Sequence, residues 1–336
     1  MKFRNRIIAL LLLLSIVFSL SACQKATPAD PLITLVDQAG RSVQLEKTAE
    51  QVVSCYYVST YAMLSLGLKD ELVGIEKKAE TRPIYKMVDP AIIDLPAVGT
   101  MKEINIEKIA SLSPDLVILP KKQLESAAAL EELGIPAIVV NPETDDDLRE
   151  MLTLIGTACG AEKQANDLIS YYDEKLSGFS PEGETPSVLC CGNGSYLEAA
   201  PSGMYQNDLI ALAGGKNAFA ESEETYWEEI SYETILKLDP DYIVIPAGAT
   251  YTAEDMASDS VLADLRAVKE NHIVTVPGTF EEWDSPIPSA VLGILWLRAV
   301  LHPSDYTPES FRKDTADFYE TFYGFTPDAE ALSSLG

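Results

Sequence analysis

One sixteen-residue pattern occurs twice in the chain, as NIEKIASLSPDLVILP from Asn105 to Pro120 and as SYETILKLDPDYIVIP from Ser231 to Pro246. Glu107 aligns with Glu233, Ile109 with Ile235, Leu112 with Leu238, Pro114 with Pro240 and Asp115 with Asp241, at a constant offset without a gap. Ile109 and Leu112 are three apart and share one helix face. The proline then ends the helix, since its ring cannot continue the hydrogen-bond ladder. A short β-rich strand follows. One helix–turn–strand unit used twice, far apart, predicts two similar lobes.

The rest of the chain repeats this alternation. Apolar runs of strand length lie at Gln51–Cys55, Leu116–Leu119, Ala137–Val140, Ser187–Cys191, Tyr242–Ile245 and Ile273–Val276, with longer helix-type segments between them. This is the pattern of an α/β protein with two lobes and mainly parallel central sheets. Between the lobes, Thr144 to Leu176 reads as a long connecting helix. Thr144 or Asp145 caps it, and the acids of Asp145-Asp146-Asp147 favour its dipole. Leu148, Met151, Leu152 and Ile155 form its apolar stripe, Leu168, Ile169 and Tyr172 continue it, and Gly160 marks a possible break. The expected division is a leader at 1–22, a tether at 23–31, an N-terminal lobe at 32–143, the connecting helix at 144–176, and a C-terminal lobe with C-terminal helices at 186–336.

The N-terminus says where the protein works. Lys2, Arg4 and Arg6 precede an apolar run from Ile7 to Leu20. The run has signal-peptide length and is short for a membrane span. Leu20-Ser21-Ala22-Cys23 resembles a bacterial lipobox, and that resemblance implies cleavage before Cys23 and lipid attachment to its thiol. Several acyl chains would hold a soluble body at the outer face of the bacterial cell membrane. That body is acidic, with 25 Lys+Arg against 52 Asp+Glu in the whole chain and a formal charge of -27. Nucleic acid is disfavoured as a partner, because neutralising phosphates needs a basic surface.

Cys55, Cys159, Cys190 and Cys191 show no zinc-site spacing. Adjacent Cys190 and Cys191 should point to opposite faces of a strand. Buried free thiols are favoured over a disulfide, for which the sequence chooses no pairing. The two histidines, His272 and His302, are too few for a histidine-rich metal site. No P-loop, nucleophile elbow or His-Glu-x-x-His motif is present. The turn CGNGS, Cys191 to Ser195, is glycine-rich but lacks the lysine and spacing of a phosphate loop. A catalytic role, a cofactor and a resident metal are therefore not expected.

Taken in order, LGLKDELVGI (Leu66 to Ile75), LPAVGT (Leu95 to Thr100), NIEKIASLSPDLVI, LEELGIPAIVV (Leu130 to Val140), NDLIALAGGKNAF (Asn207 to Phe219), ISYETILKLDPDYIVI (Ile230 to Ile245) and the tail FYETFYG (Phe318 to Gly324) resemble the substrate-binding lipoproteins of ABC importers. The match is to the iron-siderophore, haem and cobalamin class and covers roughly residues 32 to 325. It implies a class III periplasmic-binding-protein fold, with lobes joined by one rigid backbone helix. It also implies capture of a ligand outside the membrane and delivery to a permease dimer driven by a cytoplasmic ATPase. Glutamates at the positions of Glu107 and Glu233 dock such proteins onto the permease, one per lobe. An extracytoplasmic enzyme or a receptor acting through a surface patch is the alternative.

In such a fold the ligand lies between the lobes, at loops after the carboxyl ends of strands. Candidate contacts in the first lobe are Tyr56 and Tyr57 after the first strand, Arg82 in ETRPIY, Met101 in GTMKE, and Lys121. Those in the second lobe are Asn193, Ser195 and Tyr196 in CGNGSYL, Tyr205, Trp227, and Glu282 and Trp283 in FEEWDSPIPS. Aromatics with a few polar groups suit a flat, partly apolar metal chelate. Catecholate siderophore sites often use several arginines, and only Arg82 is prominent here. An iron-siderophore of hydroxamate type, haem or a corrinoid fits better, with a molybdate-type oxyanion around Ser195 and Gly99 as a further alternative.

Overall fold

The computed structural model describes residues 32–335. Two four-stranded parallel sheets form the centres of two lobes. In the N-terminal lobe the strands lie in the order Leu72–Gly74, Val52–Ser54, Leu116–Pro120, Ala137–Val140. In the C-terminal lobe the order is Lys216–Asn217, Ser187–Cys190, Tyr242–Ile245, Ile273–Thr275.

The central strands are apolar on both sides because both sides are covered. Val52, Leu116, Ile118, Ile138 and Val140 face one large core, while Val53, Val117, Leu119, Ala137 and Val139 face a smaller one under Ile109, Ala127 and Leu130. The second lobe repeats the arrangement: Val188, Cys190 and Val244 join the large core, and Leu189, Cys191, Ile243 and Ile245 close a smaller one with Ile235 and Met256. The large core is common to both lobes and reaches from Leu35 to Leu335. Cys190 and Cys191 do point to opposite faces, and Cys55, Cys159, Cys190 and Cys191 are all buried free thiols.

The repeated sequence is a repeated structure. Asn105 caps the helix Ile106–Ser111 by accepting from the Lys108 N–H at 2.8 Å. Ser231 caps the helix Tyr232–Leu238 by accepting from the Thr234 N–H at 3.1 Å. Each helix leads into its strand through an aspartate that ties the strand to its neighbour. The Asp115 N–H donates to the Gln51 carbonyl (2.8 Å) and the Asp241 N–H to the Ser187 carbonyl (2.9 Å). The carboxylates return the bond, Asp115 Oδ2 accepting from the Glu50 N–H (3.2 Å) and Asp241 Oδ2 from the Ser187 N–H (2.8 Å).

The segment expected to be one long helix is two, Asp145–Cys159 and Glu162–Leu176. Gly160 ends the first in the left-handed region (φ 71°), a conformation glycine adopts without penalty. The two helices then lie side by side, with Arg149 Nη1 2.7 Å from Asp173 Oδ1. The first holds the N-terminal lobe, its Ala158 carbonyl accepting from the Ala49 N–H (2.8 Å). The second holds the C-terminal lobe: the Tyr172 hydroxyl donates to the Pro288 carbonyl (2.9 Å), and Lys175 pairs with Asp314 (2.8 Å). Among the described residues no helix is long and apolar enough to cross a membrane.

Candidate functional site

The strand Val52–Ser54 of the N-terminal sheet ends at Ser54, and the chain turns through Tyr56 into the helix Tyr57–Ser65. Four tyrosines there pack edge to face: Tyr56 on Tyr57 with centroids 5.1 Å apart, Tyr57 on Tyr61 at 5.7 Å, and Tyr61 on Tyr85 at 5.5 Å. Arg82 lies on this ladder. Its guanidinium carbon is 4.0 Å from the Tyr57 ring centroid, and Nη1 donates to the Tyr61 hydroxyl at 3.2 Å. Beneath it, buried Glu76 accepts from Tyr85 (2.6 Å) and Thr60 (2.7 Å) and lies 3.5 Å from Arg82 Nε. Burial raises the Glu76 carboxyl above its ordinary value, against the pull of Tyr85, Thr60 and Arg82.

The C-terminal lobe faces the ladder with Glu281, Glu282, Asp284 and Ser285, and charge from Glu282 and Asp284 acts on the Tyr57 phenol. Glu281 is buried and accepts from Tyr319 (2.9 Å) and Tyr323 (3.0 Å). Burial pushes its carboxyl up to about 7, with Tyr319, Tyr323 and Arg82 opposing. Burial and Glu282 push Asp284 up to about 6.

Beside the ladder a cavity of about 320 Å³ opens between Tyr56, Met101, Lys121, Lys122 and Glu143 of the first lobe and Tyr226 of the second. Lys122 Nζ is 5.9 Å from the Tyr226 ring centroid, so a cation and a ring meet across its mouth. The hairpin Gly99–Thr100 with Glu103–Ile104 presents Met101, whose carbonyl accepts from Gln123 Nε2 at 3.0 Å. A larger cavity of about 470 Å³ lies behind the connector, between Leu66, Tyr171 and Phe322. It holds none of the candidate residues. The cavity at the strand ends is lined by three of them, Tyr56, Met101 and Lys121, and adjoins the ladder that holds Tyr57 and Arg82.

The structure thus brings together Tyr56, Tyr57, Arg82, Met101 and Lys121, and faces them with Glu282. Asn193 is exposed on its turn, and half-buried Trp227 adjoins Tyr226 and packs against the common core. Other candidates sit elsewhere. Trp283 is 1% exposed and donates its Nε1–H to the Tyr319 hydroxyl (3.0 Å), so it is a core residue under the Glu281 cluster. Tyr205 is 2% exposed in the common core. Tyr196 packs against the outer core of its lobe and donates to Asp259 Oδ2 (2.9 Å). Ser195 is engaged in its own turn, its Oγ accepting from the Leu197 N–H at 3.0 Å. The glycines of CGNGS make room for a carboxylate: a Cβ at Gly192 would lie 2.3 Å from Glu198 Oε2.

Sequence reasoning missed Tyr61, Tyr85, Glu76, Glu281, Glu143 and Tyr226. The first two follow Tyr57 and Arg82 at helical spacing, a signal that the i, i+4 geometry of Tyr57 and Tyr61 supplied. Glu107 and Glu233 are exposed in the first turns of their helices, as expected of equivalent surface positions. Cys23 lies outside the described residues. Among those residues no group of three His, Cys, Asp or Glu side chains is arranged to hold a metal ion.

The sequence of the periplasmic binding protein family matches residues 52–279, and the chain belongs to that family. An ABC transporter substrate-binding lipoprotein of Bacillus subtilis is 27% identical over 73% of this chain and 78% of its own. The petrobactin-binding protein of Bacillus subtilis is 24% identical over 72% of this chain and 79% of its own. The molybdate-binding protein of Haemophilus influenzae is 22% identical over 98% of this chain and 100% of its own. Its molybdate-bound crystal structure shares the fold, with a TM-score of 0.73 over 88% of this chain and 99% of that one. The protein is the extracytoplasmic substrate-binding component of an ABC importer, a transport component and not an enzyme.

Glu281 makes stability depend on pH. An unfolded glutamate titrates at about 4.3. Glu281 titrates higher in the folded state, so that state binds more protons between the two values. Its contribution is present below about 4.3 and is lost as pH rises towards about 7. Glu281→Gln, which keeps the neutral form at all pH values, should match wild type near pH 4.5 and exceed it near pH 8. The gap should reach on the order of 3 kcal/mol. Urea unfolding at both pH values measures it, and a gap that does not open with pH removes Glu281 from this account.

Proposed function

We propose that the cleft captures an iron-siderophore chelate of low net charge and hands it to a permease dimer driven by a cytoplasmic ATPase. The observation that carries this is Arg82 lying over the Tyr57 ring, with Glu76 below it and acids of the other lobe opposite. Arg82 is already engaged by Glu76, and Lys121 and Lys122 at the adjoining cavity stand beside Glu143, so the net positive charge is small and suits a hydroxamate-type chelate better than a multiply charged catecholate. Tyrosine rings, a thioether and prolines line the adjoining cavity, and such groups grip the organic face of a chelate. Its volume, about 320 Å³, is at the small end for ligand sites, which disfavours a ligand as large as a corrinoid. The petrobactin-binding relative supports a siderophore.

Oxyanion capture is the second reading, favoured by the near full-length match to the molybdate-binding protein. Against it, the Ser195 hydroxyl already accepts from its own turn. Titrating tryptophan fluorescence with ferric desferrioxamine, haem, cyanocobalamin and molybdate decides between them. Ferric desferrioxamine should saturate the signal, and Arg82→Ala should weaken it about tenfold or more, the scale of a charge-assisted contact. Saturable binding of molybdate with no chelate bound would reverse the order.

Glu107 and Glu233 are proposed to dock one lobe each on the permease. Both are exposed on equivalent helix starts, and charged contacts of this kind set orientation and encounter rate. Glu107→Ala with Glu233→Ala should leave chelate affinity in solution unchanged and depress uptake into vesicles reconstituted with the cognate importer. Undiminished uptake at equal protein level refutes the role. Lipid attachment at Cys23 is proposed from the lipobox. Cys23→Ser should move the protein from the membrane to the soluble fraction, and a variant still lipid-labelled would show the anchor to be elsewhere.

A further inference from the structure

Three loops meet on the C-terminal side of the cleft, and two of them bring oxygen acceptors. Each loop follows one of three adjacent parallel strands, Ser187–Cys190, Tyr242–Ile245 and Ile273–Thr275. The loops meet at Gly248. A Cβ built there would lie 3.3 Å from Asn193 Oδ1 and 3.7 Å from Glu282 Oε1, so these two acceptors converge on one point. The third is Asp284. Its carboxylate lies within the influence of the Ala247 N–H, one residue before Gly248. Asp284 is 5% exposed, and its Oδ1 has no hydrogen-bond partner. An unpartnered carboxylate oxygen in a buried position is costly, and a cationic donor beside it would offset that cost.

Burial and Glu282 are what push Asp284 up to about 6. A cation placed beside the two carboxylates would relieve both effects. The N-terminal side holds Arg82 on Tyr57 and Lys121 and Lys122 at the cavity, together with the acids Glu76 and Glu143. The two walls therefore differ: cations stand beside acids on the first, and the side-chain oxygens named on the second are acceptors.

We infer that Asn193, Glu282 and Asp284 form a subsite for an alkylammonium arm of the ligand, so that the captured chelate carries a free amine directed at the C-terminal lobe. This rests on the chelate reading above and narrows it to amine-bearing siderophores. The metal cage sits against Arg82 and the tyrosine ladder. The ammonium donates to Glu282, Asp284 and the Asn193 carbonyl oxygen, as a three-donor cation can.

A matched pair of probes tests it. Ferric desferrioxamine B carries a pendant ammonium, and its N-acetyl derivative has the same ferric hydroxamate cage without that charge. Wild-type protein should bind the ammonium form about tenfold or more tightly than the acetylated form, measured by tryptophan fluorescence at fixed ionic strength. In Glu282→Gln with Asp284→Asn the ratio of the two affinities should fall to about one. Glu282→Gln alone, at an exposed position, should lower the ratio even if the double variant folds poorly. Equal binding of the two probes by wild type overturns the inference and leaves the chelate reading standing. A ratio unchanged in the variants also overturns it. If neither probe binds while molybdate does, the chelate reading falls and the subsite with it.

Discussion

The two lobes share one apolar core, and the cleft depends on it. Val52, Leu116 and Val140 from one sheet and Val188 and Val244 from the other reach the same cluster through the connector helices and the helix Ala290–Leu301. Each such side chain contributes about 1.5–3 kcal/mol on burial, so separating the lobes as rigid bodies would be expensive. The connector makes the sharing possible. Its first helix belongs to one lobe and its second to the other, and Arg149 bridges them by pairing with both Asp145 (2.6 Å) and Asp173 (2.7 Å). Arg298 fixes the far end. It is buried, stacks 3.8 Å from the Phe179 ring centroid, and donates to the Lys175 (2.9 Å) and Leu212 (3.0 Å) carbonyls. Those carbonyls close two helix C-termini, where a cation complements the dipoles.

Above this floor the cleft is built from polar groups held out of water. Glu76 and Glu281 are both buried carboxylates that accept from tyrosine hydroxyls, one in each wall. Tyrosine suits the task because it carries an apolar ring into the wall and a hydroxyl that satisfies the carboxylate. Arg82 lies between them, paired at 3.5 Å with Glu76 and acting on Glu281 across the cleft. A buried ion pair of this kind gives little net stability, since desolvation offsets the attraction. What it provides is a fixed position: the guanidinium is held over the Tyr57 ring, so little ordering remains to be done on binding.

The repeat made the lobes legible from the sequence. Pro-Asp before each strand was visible as a pattern, and Asp115 and Asp241 turn out to serve one geometric purpose, each joining its strand to the first strand of its sheet. Strand positions were legible for a related reason: continuous apolar runs of four or five residues between turns have few other homes in a chain of alternating elements. The connector was legible as helical but not as folded back, because the apolar stripe looks alike on one helix or two. Gly160 was the clue, and its left-handed φ is the turn. The site was half legible. An aromatic after a strand end can line a cleft or fill a core, and no local pattern separates the two. Tyr56 and Tyr57 went to the cleft, whereas Trp283 and Tyr205 went to the core. Glu76 and Glu281 were invisible because a charged residue in sequence reads as exposed, and only tertiary hydrogen bonds show that these two are not.

The division between a common core and two outer cores also sets how the cleft can open. Contacts between the lobes within the core are apolar and extensive, and breaking them would expose large side chains to water. Contacts at the mouth are few and polar or weak: Lys122 over Tyr226 at 5.9 Å, and Ser285 near the Tyr57 phenol. Such contacts exchange with water at little cost, about a kcal/mol each at exposed positions. The contact between the segment bearing Tyr226 and the 3-10 turn Lys121–Gln123 is thus cheap to separate, whereas the floor formed by the connector is not. Exposed Tyr226, unlike the buried tyrosines of the ladder, can swing without uncovering any core. The outer helix starts that carry Glu107 and Glu233 belong to the outer cores, so their separation is set by the rigid floor and changes little as the mouth opens.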